Sequence, residues 1–240
     1  MRIDVLADED GVAQRAADTV CETVRARPEA HIGLPTGRTP VGAYTELARR
    51  EDAGAVDFSR ATGHAIDEFA GVPATTPGTN ADFFRRHVRL RLKALHCPMS
   101  AARYPDVHIR AFAESIRFGG GLDLCVLGIG VNGHIAFNEP GSPRDAVARV
   151  VELTEETRAA HADAFGSVER VPARGMTLGV ADLMEARELV VLATGAHKAA
   201  AVRAAIEGEP SAAVPASWLQ GHAAVTWLLD AAAAALLGQR

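Results

Sequence analysis

Cysteine is scarce in this chain of 240 residues. Cys21, Cys97 and Cys125 are scattered and odd in number, and no C-x-x-C occurs, so neither a zinc ribbon nor a dithiol redox site is suggested. Cys21 falls in a predicted helix and Cys125 in a predicted strand, where each reads as a small buried hydrophobe. Basic excess is also lacking: the formal net charge is -5, which argues against a nucleic-acid face. It does not exclude one bound anion, because a helix N-terminus and a few donors can hold a phosphate. No long apolar run is present. The longest, near Ala231–Leu237, is alanine-rich and too short to span a bilayer. Met1–Leu6 has early charges and no apolar signal core, so a cytoplasmic protein without membrane contact is expected. No H-E-x-x-H spacing occurs, and no metal site is expected.

What remains is ordinary globular material, 48% hydrophobic and 23% charged, in alternating strand and helix patterns. Arg2–Leu6, His31–Leu34, Ala61–Ile66, Leu122–Leu127, Ala148–Leu153, Leu189–Ala193 and Val225–Leu229 read as strands. Helical spacing covers Asp10–Ala26, the segment from Val41 through Ala48, Asn80–Leu95 and Gly195–Ile206, with a further helix expected after Leu229. No repeat, low-complexity tract or linker interrupts the order. The alternation implies βαβ units and one α/β domain over residues 1–240, a doubly wound, mainly parallel sheet with helices on both faces. In such folds ligands bind where loops leave the carboxyl ends of the strands. Pro35–Pro40, Asp67–Val72 and Gly128–Ser142 fit that place.

Gly128–Ser142 is the most informative of these loops. Gly128-Ile-Gly-Val-Asn-Gly133 matches the dinucleotide fingerprint G-x-G-x-x-G, with Glu152 about 20 residues on. That fingerprint must open directly into a helix, whereas Pro140 and Pro143 here would break one. The alternative is an acid–base loop. His134 and Glu139 supply titratable groups for proton transfer, and Asn132 and Asn138 crowd polar groups around glycine-rich backbone.

Asp67-Glu68 closes the Ala61–Ile66 strand. By itself it reads as a solvated turn or a helix cap; beside an acid–base loop, one buried carboxylate becomes a candidate base for a proton on carbon next to a carbonyl. Pro35–Pro40 offers backbone N–H groups, Thr36, Thr39 and Arg38 at a strand–turn–helix junction, which suits a phosphate. It also reads as a proline-started helix with Thr39 as N-cap. Lys198, after Thr194-Gly195, repeats the arrangement.

These elements in this order resemble the glucosamine-6-phosphate deaminase/isomerase family, which is related to the 6-phosphogluconolactonases. The resemblance runs from about residue 30 to 210. It is carried by Gly33-Leu-Pro-Thr-Gly-Arg-Thr-Pro40, Ile66-Asp-Glu-Phe69, Gly128–Ser142, Val171-Pro172 with Thr177-Leu-Gly-Val180, and Thr194-Gly-Ala-His-Lys198. The string G-H-I-A-F-N-E-P and the Asp-Glu-Phe element favour the deaminase branch. The resemblance implies an aldose–ketose isomerase and deaminase of amino-sugar metabolism, without an organic cofactor, acting on a small sugar phosphate as a monomer or small homo-oligomer. It implies that His134 assists ring opening with Glu139 and Asn132, that Asp67 moves a proton between C2 and C1, and that Thr36, Gly37, Arg38, Thr39 and Lys198 bind the phosphate.

Two departures follow from the same resemblance. Many members carry aspartate in place of Asn132; the amide cannot exchange a proton but can fix the imidazole tautomer. The family usually has a phosphate-binding arginine before the Val-Pro pair, where this chain reads His161-Ala-Asp-Ala-Phe165, and Arg38 stands where a small residue is usual. Arg38 is therefore expected to replace the missing cation, either on the phosphate or in a pair with Asp163. Lactone hydrolysis with His134 activating water, and a non-catalytic sugar-phosphate sensor, are the alternative functions.

Overall fold

The computed structural model describes residues 1–238. The first half of the chain forms β1 (Arg2–Leu6), α1 (Glu9–Ala26), β2 (His31–Leu34), α2 (Thr39–Asp52), β3 (Thr62–Ala65), β4 (Asp67–Phe69), α3 (Asn80–His87), β5 (Ala94–His96) and α4 (Pro105–Phe118). The second forms β6 (Leu124–Gly128), β7 (Arg149–Glu152), α5 (Glu155–Ala160), α6 (Ala162–Phe165), β8 (Arg174–Thr177), α7 (Val180–Met184), β9 (Leu189–Ala193), α8 (Ala199–Glu207) and β10 (Val225–Asp230).

Seven strands make a parallel sheet in the order β1-β10-β9-β6-β2-β3-β5. Its central strands are apolar on both faces because both faces are covered. Leu124 and Val126 of β6, with Val190 and Leu192 of β9, join Val12, Val20, Tyr44 and Leu47 from α1 and α2. The alternate residues Cys125, Leu127, Val191 and Trp227 join Ile109 of α4, Leu183 of α7 and Val202 of α8. The chain proceeds outward from β2 through β3 to β5, then returns and proceeds the other way from β6 through β9 to β10. The reversal leaves a crevice between the carboxyl ends of β2 and β6, where a ligand meets loops diverging in opposite directions.

A second sheet goes beyond the sequence reading. It has three antiparallel strands, β4-β8-β7. Asp67-Glu68 does not close β3, which stops at Ala65; the pair opens β4, opposite Thr177 and Met176 of β8. The Ala148–Leu153 strand likewise belongs to this small sheet. Phe69, Phe137, Leu153, Phe165 and Val171 form a third core beneath it.

Other boundaries also move. The helix expected over Asn80–Leu95 ends at His87, and Leu95 lies in the edge strand β5. Thr39 is the first helical residue of α2 rather than its cap; Arg38 takes the cap position and makes no side-chain cap bond. Turns replace the expected C-terminal helix as far as the described residues reach, and α4 was not expected at all. Among the described residues no helix is long and apolar enough to cross a membrane.

Candidate active site

Four loops leave the carboxyl edge of the parallel sheet together, after β2, β3, β6 and β9, and hydrogen bonds tie each to another. Thr39 Oγ1 and Thr194 Oγ1 lie 3.4 Å apart, joining the β2 turn to the β9 turn. Lys198 Nζ donates to the Ile129 carbonyl at 2.7 Å, joining the β9 turn to the β6 loop. The Phe137 N–H donates to Thr177 Oγ1 at 3.2 Å. Thr177 is the cross-strand neighbour of Asp67, so the β6 loop docks beside the head of β4.

The β6 loop places a three-residue relay. Asn132 Oδ1 accepts from the His134 N–H at 3.1 Å and from Nδ1 at 2.7 Å, while Asn132 Nδ2 donates to Glu139 Oε2 at 3.2 Å. An amide oxygen only accepts, so Nδ1 carries the proton and Nε2 holds a free lone pair. Nε2 has no partner among the described residues and reaches accessible space. Burial, followed by the charges of Lys198 and His161, lowers the His134 pKa to about 4 against the raising influence of Glu139.

Backbone geometry makes this possible. A Cβ on Gly130 would sit 2.2 Å from His134 Cε1 and Nδ1, so only glycine lets the ring lie against the chain. Ala136 has φ 49, a conformation that non-glycine residues rarely hold and that clusters at functional sites. Arg149 braces the loop from β7, donating to Asn138 Oδ1 and Ser142 Oγ, each at 2.9 Å.

Asp67 is 7% exposed. Asn80 Nδ2 donates to its Oδ1 at 2.5 Å and to its backbone carbonyl at 3.0 Å. Oδ2 has no partner among the described residues and is not sealed from solvent. Burial and then the neighbouring Glu68 raise the Asp67 pKa to about 8. Glu68 has a separate task. It is fully buried and accepts from the N–H groups of Phe69 at 2.7 Å, Asn80 at 2.9 Å and Ala81 at 2.8 Å, satisfying orphan donors at the N-terminus of α3. The two carboxylates of the pair thus divide into a helix cap and a half-free acid.

The turn after β2 places Gly37 at φ 102, which turns the chain into α2. Arg38 is exposed, its side chain has no hydrogen bond or ion pair among the described residues, and the expected pair with Asp163 does not form. Lys198 ends a short 3-10 turn before α8. Its pKa is lowered by burial and then by Arg38, so two cations face the same space. Thr36 Oγ1 is already committed, donating to Asn80 Oδ1 at 3.1 Å.

Two residues of the site carried no signal in the sequence. Asn80 follows an ordinary N-cap, Thr79, and only the tertiary fold brings it to Asp67. His161 lies at the junction of α5 and α6, its Nδ1 donating to the Thr157 carbonyl at 2.8 Å. Its ring packs edge-on to Phe69, with centroids 5.2 Å apart, and burial lowers its pKa while Glu139 opposes that shift. Among the described residues no group of three or more His, Cys, Asp or Glu could hold a metal ion.

The chain is similar over nearly its whole length to proteins of one family. The family model for glucosamine-6-phosphate isomerases/6-phosphogluconolactonase matches residues 7–227. A glucosamine-6-phosphate deaminase of Rhodopirellula baltica is 40% identical, with 100% of this chain and 97% of that protein covered. The structure of a monomeric glucosamine-6-phosphate deaminase superposes with a TM-score of 0.95 at 32% identity, covering 98% of this chain and 100% of that one. A 6-phosphogluconolactonase from Leishmania guyanensis shares the fold, with a TM-score of 0.78 at 18% identity over 99% of both chains. The chain belongs to the glucosamine-6-phosphate isomerase/6-phosphogluconolactonase family.

Proposed function

We propose that residues 1–240 act as one catalytic unit that converts glucosamine 6-phosphate, or a close hexosamine 6-phosphate, and water into fructose 6-phosphate and ammonia. The observation that carries this reading is Asp67: a buried carboxyl with one oxygen held and one free, its pKa raised to about 8. A base that takes a proton from carbon needs such a pKa near the working pH.

The neutral Nε2 of His134 accepts the proton of the C1 hydroxyl and returns it to the ring oxygen, which opens the ring to an aldehyde. Asn132 holds the tautomer and Glu139 offsets the charge that develops on the imidazole. Asp67 Oδ2 then removes the C2 proton while the C1 oxygen takes a proton from the C2 ammonium, giving an enediol-type intermediate with nitrogen on C2, and Asp67 returns its proton to C1. The resulting C2 imine adds water. The carbinolamine breaks its C–N bond, ammonia leaves with the electron pair, and the C2 carbonyl remains. The phosphate is received by the turn from Thr36 through Gly37, Arg38 and Thr39 and by Lys198. Free N–H groups at the start of α2 and two unneutralised cations reward an anion there.

The test is a coupled assay for ammonia and fructose 6-phosphate with glucosamine 6-phosphate as substrate. Production of both in equal amounts is expected. Failure to form either at saturating substrate refutes the reading, and faster than spontaneous loss of 6-phosphogluconolactone would then assign the site to lactone hydrolysis. Asp67→Asn should abolish turnover while the sugar phosphate still binds.

A further inference from the structure

Asn80 has the connectivity of a component of the active site, although nothing in its local sequence marks it. Its side chain is fully used. Both Nδ2 hydrogens go to Asp67, one to Oδ1 at 2.5 Å and one to the backbone carbonyl at 3.0 Å, and Oδ1 accepts the Thr36 hydroxyl at 3.1 Å. The amide orientation is fixed by these contacts, because the flipped amide would set its oxygen against two acceptors. Asn80 itself cannot drift. It is 2% exposed, it is the first residue of α3, and its backbone N–H is held by Glu68 Oε1 at 2.9 Å.

We propose that Asn80 is the positioning residue for the Asp67 base, and that the Thr36 side chain acts through Asn80 rather than as a ligand of the phosphate. The bond to Oδ1 pins one carboxylate oxygen, leaving Oδ2 to meet the substrate. It also favours the ionised form of Asp67 against the burial that disfavours it. The Thr36 hydroxyl spends its single proton on Asn80, so toward an anion Thr36 offers its backbone N–H. This inference deepens the proposed function and rests on Asp67 acting as a base.

The experiment measures kcat, KM and the pH dependence of kcat/KM for wild type, Asn80→Ala, Thr36→Val and Thr36→Ser. Loss of a hydrogen bond to a charged group should move the acid limb of Asn80→Ala upward by about one pH unit, with kcat reduced and KM little changed. Thr36→Val should produce a smaller shift in the same direction, and Thr36→Ser should restore the wild-type limb. If Thr36→Val instead raises KM for the phosphorylated sugar with the limb unmoved, the hydroxyl is a phosphate ligand and the proposal falls. Asp67 ionisation is also read directly, by carbon-13 carboxyl titration of the ligand-free protein. An unchanged Asp67 titration in a folded Asn80→Ala overturns the proposal. A wild type that shows the expected Asp67 titration shift but no ammonia release overturns the proposed function instead.

Discussion

The pH dependence of turnover is the sharpest consequence of the Asp67 environment. A base acts only when deprotonated, and Asp67 titrates at about 8 because burial and Glu68 both disfavour its charge. The sign follows directly: the active form accumulates as pH rises through that value. At pH 7 about one molecule in eleven carries the free carboxylate, and at pH 9 about ten in eleven do, so kcat/KM should rise roughly tenfold between them. Below pH 7 it should fall about tenfold per unit. His134 adds no limb in this window, since its pKa of about 4 keeps it neutral throughout. The assay is the initial rate of ammonia release at limiting glucosamine 6-phosphate from pH 5.5 to 9.5, at constant ionic strength. Ionisations of the substrate are common to every variant, so a limb that moves in Thr36→Val belongs to the protein. A profile flat from pH 6 to 9 would refute the reasoning, because Asp67 would then ionise as an ordinary carboxyl.

Gly130→Ala should cost about a hundredfold in kcat, since its Cβ would stand 2.2 Å from the His134 ring; unchanged turnover with a native circular dichroism spectrum would show that the ring is free to move. Arg38→Ala and Lys198→Ala should each raise KM for glucosamine 6-phosphate far more than for glucosamine, and equal effects on both sugars would remove the two cations from phosphate recognition. His64 lies away from the site, stacked between His31 and His96, with Nδ1 unpartnered among the described residues. Burial lowers its pKa to about 3, below its unfolded value, so the unfolded state binds its proton first. Its stabilising contribution is therefore present above pH 6.5 and lost as pH falls, by about 2 kcal/mol between pH 7 and 5. As pH falls over that interval the urea midpoint of wild type should drop relative to that of His64→Leu, and parallel pH curves would count against the assignment.

The central strands were legible because β6 and β9 are apolar at every position, which a strand covered on both faces requires. Three of the site loops were legible from turn chemistry: Pro35–Pro40 and Gly128–Ser142 each follow an apolar run and combine glycine, proline and polar groups, and Asp67–Val72 sets an acidic pair ahead of Gly71. The small sheet was not. A three-residue strand such as Asp67–Phe69 shows no period, and its partner β8 lies more than 100 residues away, so nothing local announces the pairing. Apolar residues at Val88, Leu90 and Leu92 prolonged the helical pattern of α3, yet they pack against the first core in extended chain after His87. The α4 helix does carry a local signal, Pro105 at its start and Ile109, Ala113 and Ile116 on one face. Asn80 and His161 differ from all of these. An asparagine after a threonine cap and a histidine at a helix end are common, and only their tertiary partners make them part of the site.

The site spans two sheets, and this shapes how binding communicates with chemistry. Asp67 belongs to the small sheet through β4, whereas Arg38 and Lys198 stand at the edge of the large one. In the proposed mechanism a phosphate held by the cations therefore touches a different sheet from the carboxyl assigned to C1 and C2. The crossing between them on the β2 side is the Thr36–Asn80–Asp67 chain, whose step from the turn to α3 is a single neutral hydrogen bond of 3.1 Å. Such a bond is worth about 1 kcal/mol, roughly a fivefold effect. That is enough to adjust the base when the turn is displaced, and too little to switch it off. A sugar without phosphate should therefore still react once bound, and phosphate recognition should appear chiefly in KM.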